Sequence, residues 1–147
     1  MNILAINPWI YDFAAYDFWL KPYGFLVILS YLINKGIQVD YIDCLEKKAT
    51  CDTYGRGKYY SEIIEKPQIL KSIPRYFKRY GVLKNDFQNQ LQDKNPDYIL
   101  ITSSMTYWYP AIIDIANIIR KKFPGVPIIA GGTYVTLLKE HAKQNIP

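Results

Sequence analysis

The chain has 147 residues, of which 50% are hydrophobic, 21% are charged and two are cysteine. That is enough apolar material for the core of one domain, and it excludes a disordered or disulfide-stapled chain. The formal charge of +5 is local, because Arg56, Lys58, Lys66, Lys71, Arg75, Lys78, Arg79 and Lys84 stand against only Glu62 and Glu65 in that segment.

Met1 to Pro8 lacks a basic leader region, and the longest apolar run, Phe25 to Ile33, is broken by Ser30 and too short to cross a bilayer. A cytoplasmic location without a membrane partner is expected. Cys44 and Cys51, with six residues between them, match neither a zinc pair nor a redox Cys-x-x-Cys motif, so reduced bystander thiols are expected.

Ile3 to Ile6 reads as the first strand, ending at Asn7-Pro8, and residues 9–21 as a long aromatic loop of the kind that usually carries function. Pro22 opens a helix whose inward stripe is Phe25, Leu26, Leu29, Leu32 and Ile33, closed by Lys35-Gly36. Ile37 to Ile42 is the second strand. Between Cys44 and Asn95 the pattern loosens into an elaborated connection, with a turn of helix expected at Ser61 to Glu65, a helix from Ile69 through Tyr80 and another over Asn85 to Lys94.

Tyr98 to Thr102 is a short, β-branched run suited to a strand buried on both faces. A polar, aromatic loop, Ser103 to Tyr109, leads to Pro110 in a first helical turn. Ile112, Ile115, Ala116 and Ile119 then recur at helical spacing, and Arg120-Lys121-Lys122 suits the negative end of the helix dipole. Pro127 to Ala130 is the fourth strand, and Gly131-Gly132 leads to a last helix from Thr133 to about Lys143 with Val135, Leu138 and Ala142 on one side. The repeated strand, helix, strand pattern predicts a single α/β domain over residues 1–147. Its core is an open, doubly wound parallel sheet, flavodoxin- or Rossmann-like, in the order 2-1-3-4 with a fifth strand missing.

In that order the loops after the first and third strands part to leave a ligand crevice. Asn7, Trp9, Tyr11, Trp19 and Lys21 fall in one loop, and Ser103, Ser104, Met105, Thr106, Tyr107, Trp108 and Tyr109 in the other. Gly131, Gly132 and Thr133 lie beside them. Hydroxyls and flat apolar area make the lining of a site for a large, mostly neutral molecule. Gly131-Gly132 reads equally as a tight strand-to-helix turn, and the aromatic loops as a contact surface for another domain. No glycine-rich phosphate loop follows the first strand, and His141, the only histidine, assembles no Ser-His-Asp arrangement.

These residues resemble the N-terminal cobalamin-binding-like domain of cobalamin-dependent radical SAM proteins. The resemblance is carried by Ile3 to Pro8, Pro22-Tyr23-Gly24 with Leu29 to Leu32, Val39 to Asp43, Pro96 to Tyr109, and Pro127 to His141. Cobalamin domains that ligate cobalt through histidine carry Asp-x-His-x-x-Gly, Ser-x-Leu and Gly-Gly. With Gly24 on the motif glycine, Trp19 takes the aspartate position and Lys21 the histidine position, while Ser103-Ser104-Met105 and Gly131-Gly132 fall on the other two motifs.

The resemblance implies a vitamin B12-binding module of a methyl-transferring enzyme, without histidine beneath the metal. The iron–sulfur cluster and S-adenosylmethionine would belong to a radical SAM domain downstream or on a separate chain, since no Cys-x-x-x-Cys-x-x-Cys occurs here. The chain is not expected to be catalytic alone. Two alternatives stand beside this reading: a degenerate, cofactor-free domain serving as a docking surface, and a nucleic-acid-binding role for residues 56–84, which a solvated basic helix explains as well. An open sheet edge also offers a route to homo-oligomers.

Overall fold

A computed structural model describes residues 1–15, 21–46 and 59–147. Its centre is a four-stranded sheet of β1 (Asn2–Asn7), β3 (Gln38–Asp43), β6 (Tyr98–Ile101) and β7 (Ile128–Ala130). The spatial order is β3-β1-β6-β7, every pairing is parallel, and the sheet is open. Ile3 pairs with both Val39 and Tyr98, which puts β1 in the middle.

Alternation along the strands divides the sheet into two unequal faces. Leu4, Ile6, Ile42, Ile99 and Ile101 point into the main core. They meet Ala111, Ile112, Ile115, Ala116 and Ile119 of α3 (Tyr109–Lys122), and Phe87 and Leu91 at α2 (Lys84–Gln90). The opposite face carries Ala5, Tyr41, Leu100 and Ile129 and is covered by α1 (Tyr23–Asn34) on the β3 side, where Phe25 meets the ring of Tyr41 edge-on. The expected inward stripe of α1 is only partly buried. Leu29 is enclosed, Phe25, Leu26 and Leu32 are half-buried, and Ile33 is exposed.

The expected helix over Asn85 to Lys94 is present as α2, but a second, antiparallel sheet replaces the helices expected at Ser61 to Glu65 and Ile69 to Tyr80 and takes in part of the aromatic loop. It consists of β2 (Ile10–Asp12), β5 (Lys78–Tyr80) and β4 (Ser61–Ile63), in the order β2-β5-β4. Residues 61–63 are thus a strand rather than a helical turn. The run from Ile69 to Tyr80 holds a 3-10 turn (Gln68–Leu70) and then a strand. Pro74 and the alternation of buried Phe77, Arg79 and Gly81 with half-buried Lys78 and Tyr80 fit an extended chain better than a helix. Tyr11, Arg79 and Glu62 are paired across the three strands; Arg79 is buried, Tyr11 half-buried and Glu62 exposed at the edge. Arg79 is fully enclosed; its Nε donates to Glu62 Oε1 at 2.7 Å, its Nη1 donates to the Val82 carbonyl at 2.6 Å, and its guanidinium lies 5.0 Å from the Trp9 ring centroid. A cation in the core is tolerated only when so paired.

The last helix is broken in two, α4 (Thr133–Leu137) and α5 (Lys139–Asn145), at Leu138, whose φ of −120° and ψ of 49° are not helical. Tyr134 and Ala142 provide its buried contacts, while Leu138 stays 43% exposed. His141 is held rather than free: its Nδ1 lies 2.8 Å from the Tyr134 hydroxyl and its ring meets Tyr109 edge-on.

Candidate functional site

Three parallel strands, β1, β3 and β6, deliver polar residues to the carboxyl end of the sheet. Asp43, at the end of β3, accepts from Asn7 Nδ2 at 2.8 Å and from the Leu45 backbone N–H at 3.0 Å on one oxygen, and from the Lys21 ammonium on the other. Ser103, just past β6, is fixed by β7. Its hydroxyl donates to the Gly131 carbonyl at 2.6 Å, and its carbonyl accepts from the Thr133 N–H at 3.1 Å.

The crevice between the loops after β1 and β6 is closed. Trp9 and Trp108, both buried, leave only about 10 Å³ there, bounded also by Asn7, Thr102, Ser103 and Ser104. Trp9 packs edge-on against Phe87 at 5.5 Å, and Trp108 Nε1 donates to Asp12 Oδ2 at 2.7 Å. These indoles join the two sheets instead of lining a ligand. A large apolar side chain in a loop fills available core before it serves as a platform.

An open groove of about 610 Å³ lies one strand further over, between α1 and the end of β6 and β7. Gly24, Ser103, Ser104, Met105, Gly131, Gly132 and Thr133 line it together with Pro22, Tyr23, Phe25, Ile28, Leu100 and Ile129. None of these is charged. The two glycines differ: a Cβ on Gly131 would meet nothing within 4 Å, whereas Gly132 has φ +93° and a Cβ there would collide with Ser103. Gly132 is therefore the tight turn and Gly131 the open wall.

The other expected site residues are dispersed. Lys21 is tied to Asp43, Asn7 and Trp9 border the closed crevice, and Trp19 falls outside the described residues. Thr106 and Tyr107 belong to a 3-10 turn (Thr106–Trp108). Groove residues missing from the expected site include Pro22, Leu100, Ile129 and, from α1, Phe25 together with Tyr23 and Ile28, the last two of which are apolar but lie off the inward stripe. That misplacement on the helical wheel was the available signal. No family model and no curated protein sequence matches this chain.

Tyr11 and Tyr107 face a second cavity, of about 740 Å³, between the small sheet and α3. There Asp114 Oδ2 accepts from the Tyr11 hydroxyl at 2.6 Å and from Lys84 Nζ at 2.9 Å. Burial, reinforced by the bond to Asp114, pushes the Tyr11 hydroxyl well above its ordinary range, so it is a fixed donor and not an acid at neutral pH. Burial also raises the Cys44 thiol, with Asp43 adding to the effect. Among the described residues no three of His, Cys, Asp and Glu cluster as metal ligands, and no helix is long and apolar enough to cross a membrane. The basic segment is not a continuous face: Arg79 is in the core, Lys84 is on Asp114, and Lys66 Nζ donates to the Ile73 carbonyl at 2.6 Å.

Proposed function

We propose that this chain is a cobalamin-holding module that works with a radical SAM domain, its parallel sheet being four strands of a doubly wound, flavodoxin-like fold. The observation that carries the reading is the groove at the carboxyl ends of the strands, with Ser103, Ser104, Met105 and Gly131-Gly132 side by side along its wall. These are the residues that the resemblance assigns to the cofactor.

The residues present fit the group. A volume of 610 Å³ is in the range of small-molecule sites, roughly 300–1,000 Å³. It suits the nucleotide tail better than the whole corrin. The lining is uncharged, the open side of Gly131 leaves room for a flat body near the backbone, and Ser104 and Thr133 bring hydroxyls to the wall. The Ser103 hydroxyl already donates its hydrogen bond to the Gly131 carbonyl, so it offers a ligand only its acceptor capacity. Lys21, at the histidine position, is committed to Asp43, so it would not take the place of a histidine ligand. When bound, cobalamin supplies a cobalt centre able to carry a methyl group; the chain's own part is to bind the tail, orient the ring and exclude water from the groove. Cleavage of S-adenosylmethionine belongs to the partner domain.

The indole-filled crevice favours a second reading, a cofactor-free domain of the same fold that docks a partner or substrate. Titration with hydroxocobalamin, followed in the visible spectrum, separates the two. The expected result is saturable binding without imidazole ligation, abolished by Gly131→Leu and unchanged by His141→Ala. An unchanged spectrum at high cofactor concentration leaves the docking reading.

A further inference from the structure

Helix α1 is the physical anomaly of the molecule. Its twelve residues, YGFLVILSYLIN, contain no charge, yet Leu29 is the only one that is buried. Tyr23 is 73% exposed, Val27 69% and Tyr31 61%. A helix apolar on every side is normally enclosed on every side. Ile28, Ile33 and, from β7, Ile129 are each more than half exposed and extend the patch on its flanks.

We propose that this face binds a second copy of the chain, forming a two-fold dimer across α1. Three observations select that occupant; because Tyr23, Ile28 and Ile129 also line the groove, a second copy on this face and a ligand in the groove would compete. The first is area: Tyr23, Val27, Ile28, Tyr31, Ile33 and Ile129 together leave on the order of 800 Å² accessible, given about 150–250 Å² for a whole aromatic side chain, and about 800 Å² per partner is what a standard specific interface covers. The second is charge. The chain carries +5 overall, so most orientations of two copies repel, whereas an isologous contact through α1 brings no charged helix residue against its like. The third is spacing. Tyr23, Val27 and Tyr31 stand four residues apart and form one i±4n ridge, the element that packs against its own copy in the commonest helix crossing. Lys35, with Nζ 5.4 Å from the Tyr31 ring centroid, falls at the rim.

The test is sedimentation velocity over a concentration series, on the wild-type chain and on Val27→Lys, Tyr31→Lys and Ile69→Lys. Ile69 is 87% exposed and lies away from α1. The expected result is a concentration-dependent dimer that tightens with added salt as the net charge is screened. Either α1 variant should raise its Kd by at least about thirtyfold, as for a central interface residue, with the helical circular dichroism signal unchanged; Ile69→Lys should leave it as in wild type. A monomer at about 100 μM, a dimer weakened by salt, or a dimer that survives both α1 variants would each overturn the proposal.

Discussion

Ser103 and Gly132 touch so closely that the glycine has no room for a side chain: a Cβ would lie 2.8 Å from the Ser103 nitrogen and 2.8 Å from its Oγ, with the Ser103 carbonyl oxygen nearer still. This contact locks the turn after β7 onto the turn after β6, and it creates the wall of the groove. Gly132→Ala should therefore cost at least about 2 kcal/mol, from a strained positive φ plus the collision. Gly131→Ala should cost less than about 1 kcal/mol, because nothing stands within 4 Å of its Cβ. Urea denaturation of both variants checks this; equal losses would refute the division of roles. It also makes Gly131, not Gly132, the position at which to block the groove without unfolding the domain.

The Glu62–Arg79 pair predicts an acid-sensitive small sheet. The hydrogen bond from Arg79 is the chief cause that holds the Glu62 carboxyl below its usual range. A carboxylate lowered in the folded state stabilises fully above its unfolded pKa of about 4.3, and that contribution disappears as pH falls through the lower native value. Protonation would leave the enclosed guanidinium without its counter-ion. Because the Glu62 side chain is 46% exposed, solvent screens the pair, and Glu62→Gln should cost only about 1–2 kcal/mol at pH 7. The gap between the variant and wild type should close in strong acid. A gap independent of pH would mean that shape, not charge, is what Glu62 supplies.

Cys44 offers a direct probe of core opening. It is fully buried, and burial raises its thiol above the ordinary range, so both access and thiolate fraction are low. In a Cys51→Ser chain, an aromatic disulfide reagent at pH 8 should react at the rate of unfolding, at least about a hundredfold slower than with the denatured protein. Rapid labelling of the native chain would show that the end of β3 opens locally.

The parallel sheet was legible because its strands are short runs with apolar, largely β-branched residues at the core positions and two of its crossovers carry a helix of clear period, so local propensity and tertiary role agree. Its order and pairing follow the sequence expectation strand by strand. The small sheet was not legible. Its strands have three residues each, too few for a period to emerge, and β2 finds its partner β5 nearly seventy positions away. Arg79 illustrates the limit well. As one of eight basic residues it reads as surface, and only Glu62, Val82 and Trp9, brought together by that pairing, explain why it is inside. The groove was half visible, since Ser103, Ser104 and Gly131 were expected and the flank of α1 was not. Trp9 and Tyr11 lie away from the groove for different reasons: Trp9 is enclosed against Phe87, and the Tyr11 hydroxyl is held by Asp114.

The central place of β1 carries a consequence for synthesis of the protein. Strand β1 leaves the ribosome before both its partners, gains β3 as one neighbour once residue 43 is made, and must wait for β6, which ends at Ile101, to gain the other. At about 5–20 residues per second, that interval lasts roughly 3–12 s. During it the nascent chain presents Leu4 and Ile6 on a half-built sheet with an unpaired edge. The chain thus depends on its own later half to shield its beginning, and slow translation between the codons of residues 43 and 101 would prolong the period in which it can pair with the wrong neighbour.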